Sequence, residues 1–321
     1  MDKYIKSPIN YTGNKFRILD QIFEKLPKNK HKFIDLFCGG ATVGINSNYD
    51  EVIFIDKNPY IINLLSTLAN NDINKIINKI KSIIQEYNLS YSAEMGYKYY
   101  SLQKSEIDNN GLKFFNKQGY YKLREDYNST KNKNSFDSNL KLYLLIIYGF
   151  NNDIRFNNSG GFNLPVGKTD FNKNNLKKIT EFNLRAKGKK FIFMQGSFED
   201  EEIEQLVFAD SFVYMDPPYL ITTAFYNENK GWNLEEEKKL LSFMDKLIKN
   251  ETPFALSNII SRDNAINQPL FDWIKGNQEL IEIHEININY SSASYNKLVR
   301  YSKDKEILLI GGLKNGFKNR K

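Results

Sequence analysis

The run Lys32-Phe33-Ile34-Asp35-Leu36-Phe37 passes directly into Cys38-Gly39-Gly40, and this union of a short apolar strand with a glycine turn constrains the fold more than any other stretch. A second apolar run, Glu51 to Asp56, follows after a short helix-compatible segment. Strand, turn, helix-compatible stretch and strand make the opening of an α/β sheet. Residues 61–108 then read as helical, with Ile73, Ile76, Ile77, Ile80, Ile83 and Ile84 at mixed three- and four-residue spacing. The strand rhythm resumes with Phe191 to Phe198, Ser211 to Met215 and Pro253 to Ile259. Two closing runs, Ile281 to Ile288 and Glu306 to Gly312, suit an antiparallel hairpin that closes the sheet.

Residues 105–175 differ in character, being rich in Asn, Lys, Gly and Tyr and interrupted by an apolar helix or strand at Leu140 to Phe150. No internal repeat is visible. The expected architecture is one α/β domain, residues 1–66 and 171–321, carrying an inserted domain at residues 67–170. Composition sets the outer limits. With 321 residues and 41% hydrophobic residues the chain can build a substantial core. No apolar stretch approaches the ~20 residues that span a bilayer. The first residues, MDKYIKSPINYTG, lack the apolar centre of a signal peptide. A cytoplasmic protein is expected, with no membrane partner. One cysteine excludes an intramolecular disulfide and a multi-cysteine zinc site. His31 and His284 lack neighbours at ligand spacing, so no metal is expected. The net charge of +7 favours a polyanionic partner, although abundant Asn, Lys and Ile equally suit an AT-rich genome.

Two loops carry the chemistry. Gly39 and Gly40 stand where a strand turns toward a helix, and glycine lets the backbone approach a ligand closely. Asp56 ends the following strand, where a carboxylate can accept the hydroxyls of a ribose. Together they suit an adenosine-type ligand; an ordinary tight turn and an exposed Asp is the alternative. The full G-x-G-x-x-G pattern is missing, which disfavours a dinucleotide. Ser197 and Phe198, after a later strand, could hold and stack on an adenine edge.

The second loop is Asp216-Pro217-Pro218-Tyr219, placed after the apolar run Phe212 to Met215 and so at the carboxyl end of a strand. An exocyclic amino group on a base is a poor nucleophile because its lone pair is delocalised into the ring. A carboxylate at Asp216 and a carbonyl at Pro217 could accept its two hydrogens and localise that pair. Consecutive prolines hold the backbone extended and remove competing donors. Tyr219 offers a face for a base drawn out of its stack. A merely proline-stiffened loop is the alternative. Glu235 to Lys239 reads simply as a charged helix face.

On these residues the chain resembles the Dam-type (class alpha) DNA adenine-N6 methyltransferases, nearly end to end and in the family's motif order. Pro8 to Lys15 is similar to the N-terminal cofactor segment, with Asn14 in place of the commoner glycine and with Tyr11, Gly13 and Lys15 kept. Asp35, Phe37, Gly39 and Gly40 match the methionine-binding loop, Asp56 the ribose acid, and Asp216 to Tyr219 the catalytic tetrapeptide. Gly119 to Asn128, with Arg124 and Asn128, looks like a Tyr-Tyr-x-x-Arg-x-x-Phe-Asn segment. Phe150 to Asn157, with Asn151, Arg155 and Asn157, followed by Gly161 to Gly167 with Pro165, looks like the recognition hairpin. Ser257-Asn258 matches a small motif after the catalytic strand. Ser197 stands where many members carry Asp.

The resemblance implies a Rossmann-like fold with a seven-stranded mixed sheet and an inserted, mostly helical DNA-recognition domain. It implies S-adenosylmethionine as cofactor and methyl transfer to N6 of a flipped adenine in double-stranded DNA, at a short G-containing site such as GATC. Arg155 suits a bidentate contact to guanine; Arg124 suits the phosphate backbone. A monomer or weak dimer on the nucleoid is expected, within restriction-modification or phage and host modification, and a cognate restriction endonuclease is a candidate companion. Cys38 lies in the cofactor turn rather than on a proline-preceded loop, which disfavours thiolate chemistry at cytosine carbon. Two alternatives stay open: an amino-methyltransferase acting on cytosine N4 or on RNA, and a non-catalytic DNA-binding regulator.

Overall fold

The structure is a computed structural model that describes residues 3–26, 32–102, 111–208, 210–221, 232–262, 265–286 and 305–313. In chain order it begins with α1 (Leu19–Lys25), β1 (Lys32–Leu36), β2 (Glu51–Asp56), α2 (Pro59–Asn70) and α3 (Ile73–Glu86). Next come α4 (Ser92–Met95), α5 (Tyr97–Ser101), α6 (Lys113–Ser129), α7 (Phe136–Tyr148) and α8 (Lys173–Lys187). Then β3 (Lys190–Gln195), α9 (Glu201–Val207), β4 (Ser211–Met215), α10 (Leu234–Lys249) and β5 (Phe254–Arg262) follow. The described chain closes with β6 (Ala265–Ile266), α11 (Gln268–Gly276), β7 (Ile281–Ile286) and β8 (Lys305–Gly311). The expected helix between the first two strands is a single 3-10 turn, Gly44–Asn46.

The sheet runs β3-β2-β1-β4-β5-β8-β7, with the short β6 beside β5. β1 lies parallel to both β2 and β4, and β4 parallel to β5. β8 runs antiparallel to β5 and to β7, so the closing hairpin expected from the sequence is present in its described part. The sheet is therefore mixed and Rossmann-like, with its order reversing between β1 and β4. In such sheets ligands bind at the strands' carboxyl ends, beside a reversal of this kind. The central strands are buried nearly throughout, as near-continuous apolar runs require.

The chain packs as two compact units. One comprises Met1–Asn14, Gly39–Asn46 and Asn58–Phe193; the other comprises Lys15–Cys38, Ser47–Lys57 and Met194–Lys321. The first is mainly helical. Leu140 to Phe150, a helix or a strand by sequence, is the buried helix α7 up to Tyr148, packed against α2, α3 and α6. Burial on every side explains why its apolar run shows no period. Side chains cap the starts of its longer apolar helices and of α8: Asn58 for α2, Asp72 for α3, Ser135 for α7 and Asn172 for α8 each accept backbone N–H groups. Asp170 is buried beside α4, accepting from the Ser92 N–H and hydroxyl at 2.7 and 2.6 Å and from the Ser90 hydroxyl at 3.1 Å.

The second unit holds most of the sheet. Phe33 of β1 stacks on Phe212 and Tyr214 of β4, with Tyr49 tilted against Phe33. α10 buries Leu240, Leu241, Phe243, Met244 and Leu247 and packs against α11. Its Glu237 is fully buried yet satisfied by the Trp232 indole N–H and the Asn267 amide. No helix among the described residues is long and apolar enough to cross a membrane.

Candidate active site

β4 delivers Asp216 at its carboxyl end, and the chain leaves the sheet there because Pro217 and Pro218 cannot donate to a ladder. Pro217 is buried, Pro218 exposed and Tyr219 partly buried. Asp216 is held from two sides. The Lys15 ammonium lies 2.8 Å from Oδ2, and the Tyr219 hydroxyl donates to Oδ1 at 3.0 Å. Lys15 also sits over the Tyr219 ring, 5.2 Å from its centre. A fourth group completes the cluster: Glu306, the buried second residue of β8, has Oε1 3.9 Å from the Lys15 nitrogen and 3.5 Å from the Tyr219 hydroxyl. Burial, then the charges of Asp216 and Glu306, push the Tyr219 phenol well above its ordinary value, so it serves as a neutral donor. Beneath the loop, the Tyr214 and Ser257 hydroxyls share a 2.7 Å hydrogen bond that ties β4 to β5. Asn258 beside it keeps a buried Nδ2 without a partner.

β1 delivers the glycine turn. Asp35 is buried within the strand. Phe37 takes φ = 70°, a left-handed conformation rare for an aromatic residue, of the kind that clusters at functional turns. Its ring meets Phe198 at 5.7 Å and Trp232 at 5.7 Å. The Cys38 N–H donates to the Ile55 carbonyl at 2.9 Å, pinning the turn to β2. Burial pushes the Cys38 thiol well above its ordinary range, leaving it a poor nucleophile. Asp56 ends β2 half-buried, and its carbonyl takes the Gly196 N–H at 3.0 Å. Ser197 sits in a tight turn, its N–H donating to Asp200 and its hydroxyl accepting the Glu199 N–H. These groups line the carboxyl ends of β1, β2, β3 and β4. Trp232, whose ring meets both Phe37 and Phe198, belongs to none of the motifs read from the sequence. An aromatic ahead of a charged helix was the only local sign.

In the helical unit, the Tyr11 ring packs on the glycine turn. A Cβ at Gly39, where φ is +46°, would lie 2.6 Å from that ring, and one at Gly40 would lie 2.8 Å from the Tyr11 Cβ. Both glycines are thus demanded by close approach. Gly13 also takes a positive φ, in open space. Thr42, two residues beyond Gly40, keeps a buried Oγ1 without a hydrogen-bond partner. An orphaned polar atom beside a glycine turn suits a polar ligand.

The same unit folds residues 149–167 into a hairpin, with bridges Gly149 to Val166 and Phe156 to Phe162. α6 supports it on one face. Tyr120 and Arg124 both donate to the Leu164 carbonyl, at 3.1 and 2.9 Å, and Asn128 exchanges hydrogen bonds with the Phe162 carbonyl and N–H. Arg124 also stacks over Tyr121. At the tip, the Asn157 Oδ1 accepts from the Ser159 N–H and hydroxyl and from the Gly161 N–H. Arg155 is held by Asn163, through Nε to the side-chain oxygen at 2.8 Å and Nη2 to the carbonyl at 3.2 Å. Asn151 is exposed at φ = 56°. The Pro165 carbonyl accepts the Phe150 N–H. Phe156 stacks on Tyr60, ring centres 4.2 Å apart.

A mixed Rossmann-like sheet with an acidic, proline-stiffened loop at its switch point places the chain among the α/β folds that bind ligands at the carboxyl ends of their strands. Residues 11–291 match the D12 class N6 adenine-specific DNA methyltransferases, and the chain belongs to that family. It is 36% identical over 301 residues to the type II methyltransferase M.FokI of Planomicrobium okeanokoites, covering 92% of this chain and 41% of that protein. It is 34% identical to the modification methylase StsI of Streptococcus sanguinis, covering 94% of this chain and 42% of that protein. A DNA adenine methylase of Salmonella typhi is 24% identical, with 89% of this chain and 88% of that protein covered. The chain thus spans about two fifths of the first two relatives and most of the third.

Proposed function

We propose that this chain transfers a methyl group from S-adenosylmethionine to N6 of an adenine flipped out of double-stranded DNA. The observation that carries the proposal is the Asp216 cluster: a carboxylate at a strand's carboxyl end, beside a buried proline carbonyl position and an aromatic ring. Asp216 and the Pro217 carbonyl would accept the two N6 hydrogens, turning the nitrogen lone pair outward, and Tyr219 would stack on the base. When bound, S-adenosylmethionine would supply the activated methyl, its sulfur keeping the electron pair of the broken bond. N6 would release one proton to solvent by way of the Asp216 carboxylate that holds it. The protein's contribution is orientation and a preorganised polar site.

The assigned cofactor residues are Tyr11, Gly13, Lys15, Asp35, Phe37, Gly39, Gly40, Asp56, Ser197, Phe198 and Asp216. The Phe37, Phe198 and Trp232 rings, which meet one another, suit the flat end of such a ligand. The DNA residues are Arg124, Asn128, Asn151, Arg155, Asn157 and Pro165, in an inserted domain at 67–170. Within that set, Arg124, Asn128 and Asn157 would build the hairpin that presents Arg155 to a base edge, probing a short G-containing site such as GATC. The first two relatives are named as a type II methyltransferase and a modification methylase, which favours a modification enzyme; a cognate restriction endonuclease is a candidate companion.

The test is sequencing of DNA from cells that express the chain, with detection of N6-methyladenine at a fixed site. D216A should lose about 10²- to 10³-fold in methylation rate or more while still binding S-adenosylmethionine in calorimetry. Full activity of D216A, or N4-methylcytosine as the product, would overturn the proposal.

A further inference from the structure

Asp216 has two donors on it, and both have a second acceptor close by. The Lys15 ammonium is 2.8 Å from Asp216 and 3.9 Å from Glu306; the Tyr219 hydroxyl is 3.0 Å from Asp216 and 3.5 Å from Glu306. A single atom, Glu306 Oε1, stands next in reach of both. The two carboxylates share one ammonium, and the Lys15 and Glu306 side chains are each only 6% exposed. At such burial, charge-assisted hydrogen bonds are strong and solvent competes little for them.

An amino group that approaches Asp216 meets a carboxylate already engaged on both oxygens, one of them by a full positive charge. Each such bond draws electron density from the oxygen and weakens it as an acceptor for N6–H. Water competes poorly for an ammonium at this depth, and Glu306 is a carboxylate already within reach of both donors.

We infer that Glu306 is a positioning residue that receives Lys15 and Tyr219 when the target base enters, freeing Asp216 to bind the amino group. The exchange is a hydrogen-bond swap: no covalent bond changes and the net charge of the cluster is kept. It also lets the Tyr219 ring leave its hydroxyl contact with Asp216 and turn its face to the base. The topology explains why the acceptor is there. β8 runs antiparallel to β5, with Glu306 opposite Ile259, so the start of β8 lies at the carboxyl end of the parallel strands.

The inference rests on the proposed adenine methylation, and the experiment separates the two. Single-turnover transfer is measured on a duplex carrying the sequenced site, and base extrusion is read from 2-aminopurine fluorescence at the target position. E306Q should flip the base and keep the wild-type KM for DNA, while transfer slows by about 10- to 100-fold. E306D, which keeps the charge one methylene further back, should recover part of that rate and serves as well if E306Q folds poorly. In a Y219F background, E306Q should cost less than it does alone, because one of its two donors is gone. Wild-type transfer by E306Q, or losses that multiply independently with Y219F, would overturn the role of Glu306. Absence of adenine methylation by the wild-type chain would overturn the proposed function instead.

Discussion

Gly39 illustrates how one residue is fixed by two demands. Its φ of +46° is strained for any side chain, and the Tyr11 ring occupies the space a Cβ would need at 2.6 Å. G39A should cost about 1–3 kcal/mol of stability, read from the denaturant midpoint, and should weaken S-adenosylmethionine binding in calorimetry. Asp170 makes a different prediction. Burial, the largest cause, raises its pKa above the ordinary 3.8, against the hydrogen bonds from Ser92 and Ser90. Above pH 3.8 the unfolded chain therefore releases this proton before the folded chain does. The contribution of this carboxyl to stability is fully present below that pH and is lost as pH rises through the raised folded value. The stability of wild type relative to D170N should fall with rising pH across that window; chemical denaturation at several pH values measures it. Of the Asp216 cluster, Asp216, Tyr219 and Lys15 were visible as motif residues. Glu306 was not, since a lone Glu opening an apolar strand reads as a solvated strand end.

At the scale of elements, α6 shows a periodicity that serves packing. Tyr120, Arg124 and Asn128 are four residues apart and so share one helix face, and all three bond to the backbone of the 149–167 hairpin. The spacing was present in the sequence, but their partners, some 34 to 44 residues further along, were not readable there. Gly119, on the same helix, is pressed against α3. A Cβ there would lie 1.9 Å from the Tyr87 carbonyl oxygen. Alanine is intrinsically better in a helix by about 1 kcal/mol, but overlap with rigid backbone outweighs that gain. G119A should lower stability by about 2 kcal/mol or more, seen as a lower melting temperature. Its expected companion is weaker DNA binding through loss of hairpin support.

For the whole molecule, a net charge of +7 predicts a strong dependence of DNA affinity on salt. If about six phosphates are neutralised, affinity should fall by about 10³-fold between 50 and 200 mM salt, linearly on a log–log plot. Fluorescence anisotropy on a short duplex gives the slope, and a flat response would argue against phosphate contacts as the main source of affinity. The sequence by itself determined the α/β class, the glycine turn and the Asp216 loop, because each is local: strand period, turn and proline stiffness are written in neighbouring residues. It also determined the closing hairpin, from two adjacent apolar runs. Only the tertiary structure decided which groups meet. Lys15 and Glu306 are nearly the length of the chain apart, and they converge on Asp216 because β8 returns antiparallel beside β5 and brings its first residues to the carboxyl end of β4. A pattern that repeats every two or four residues carries no record of such a meeting.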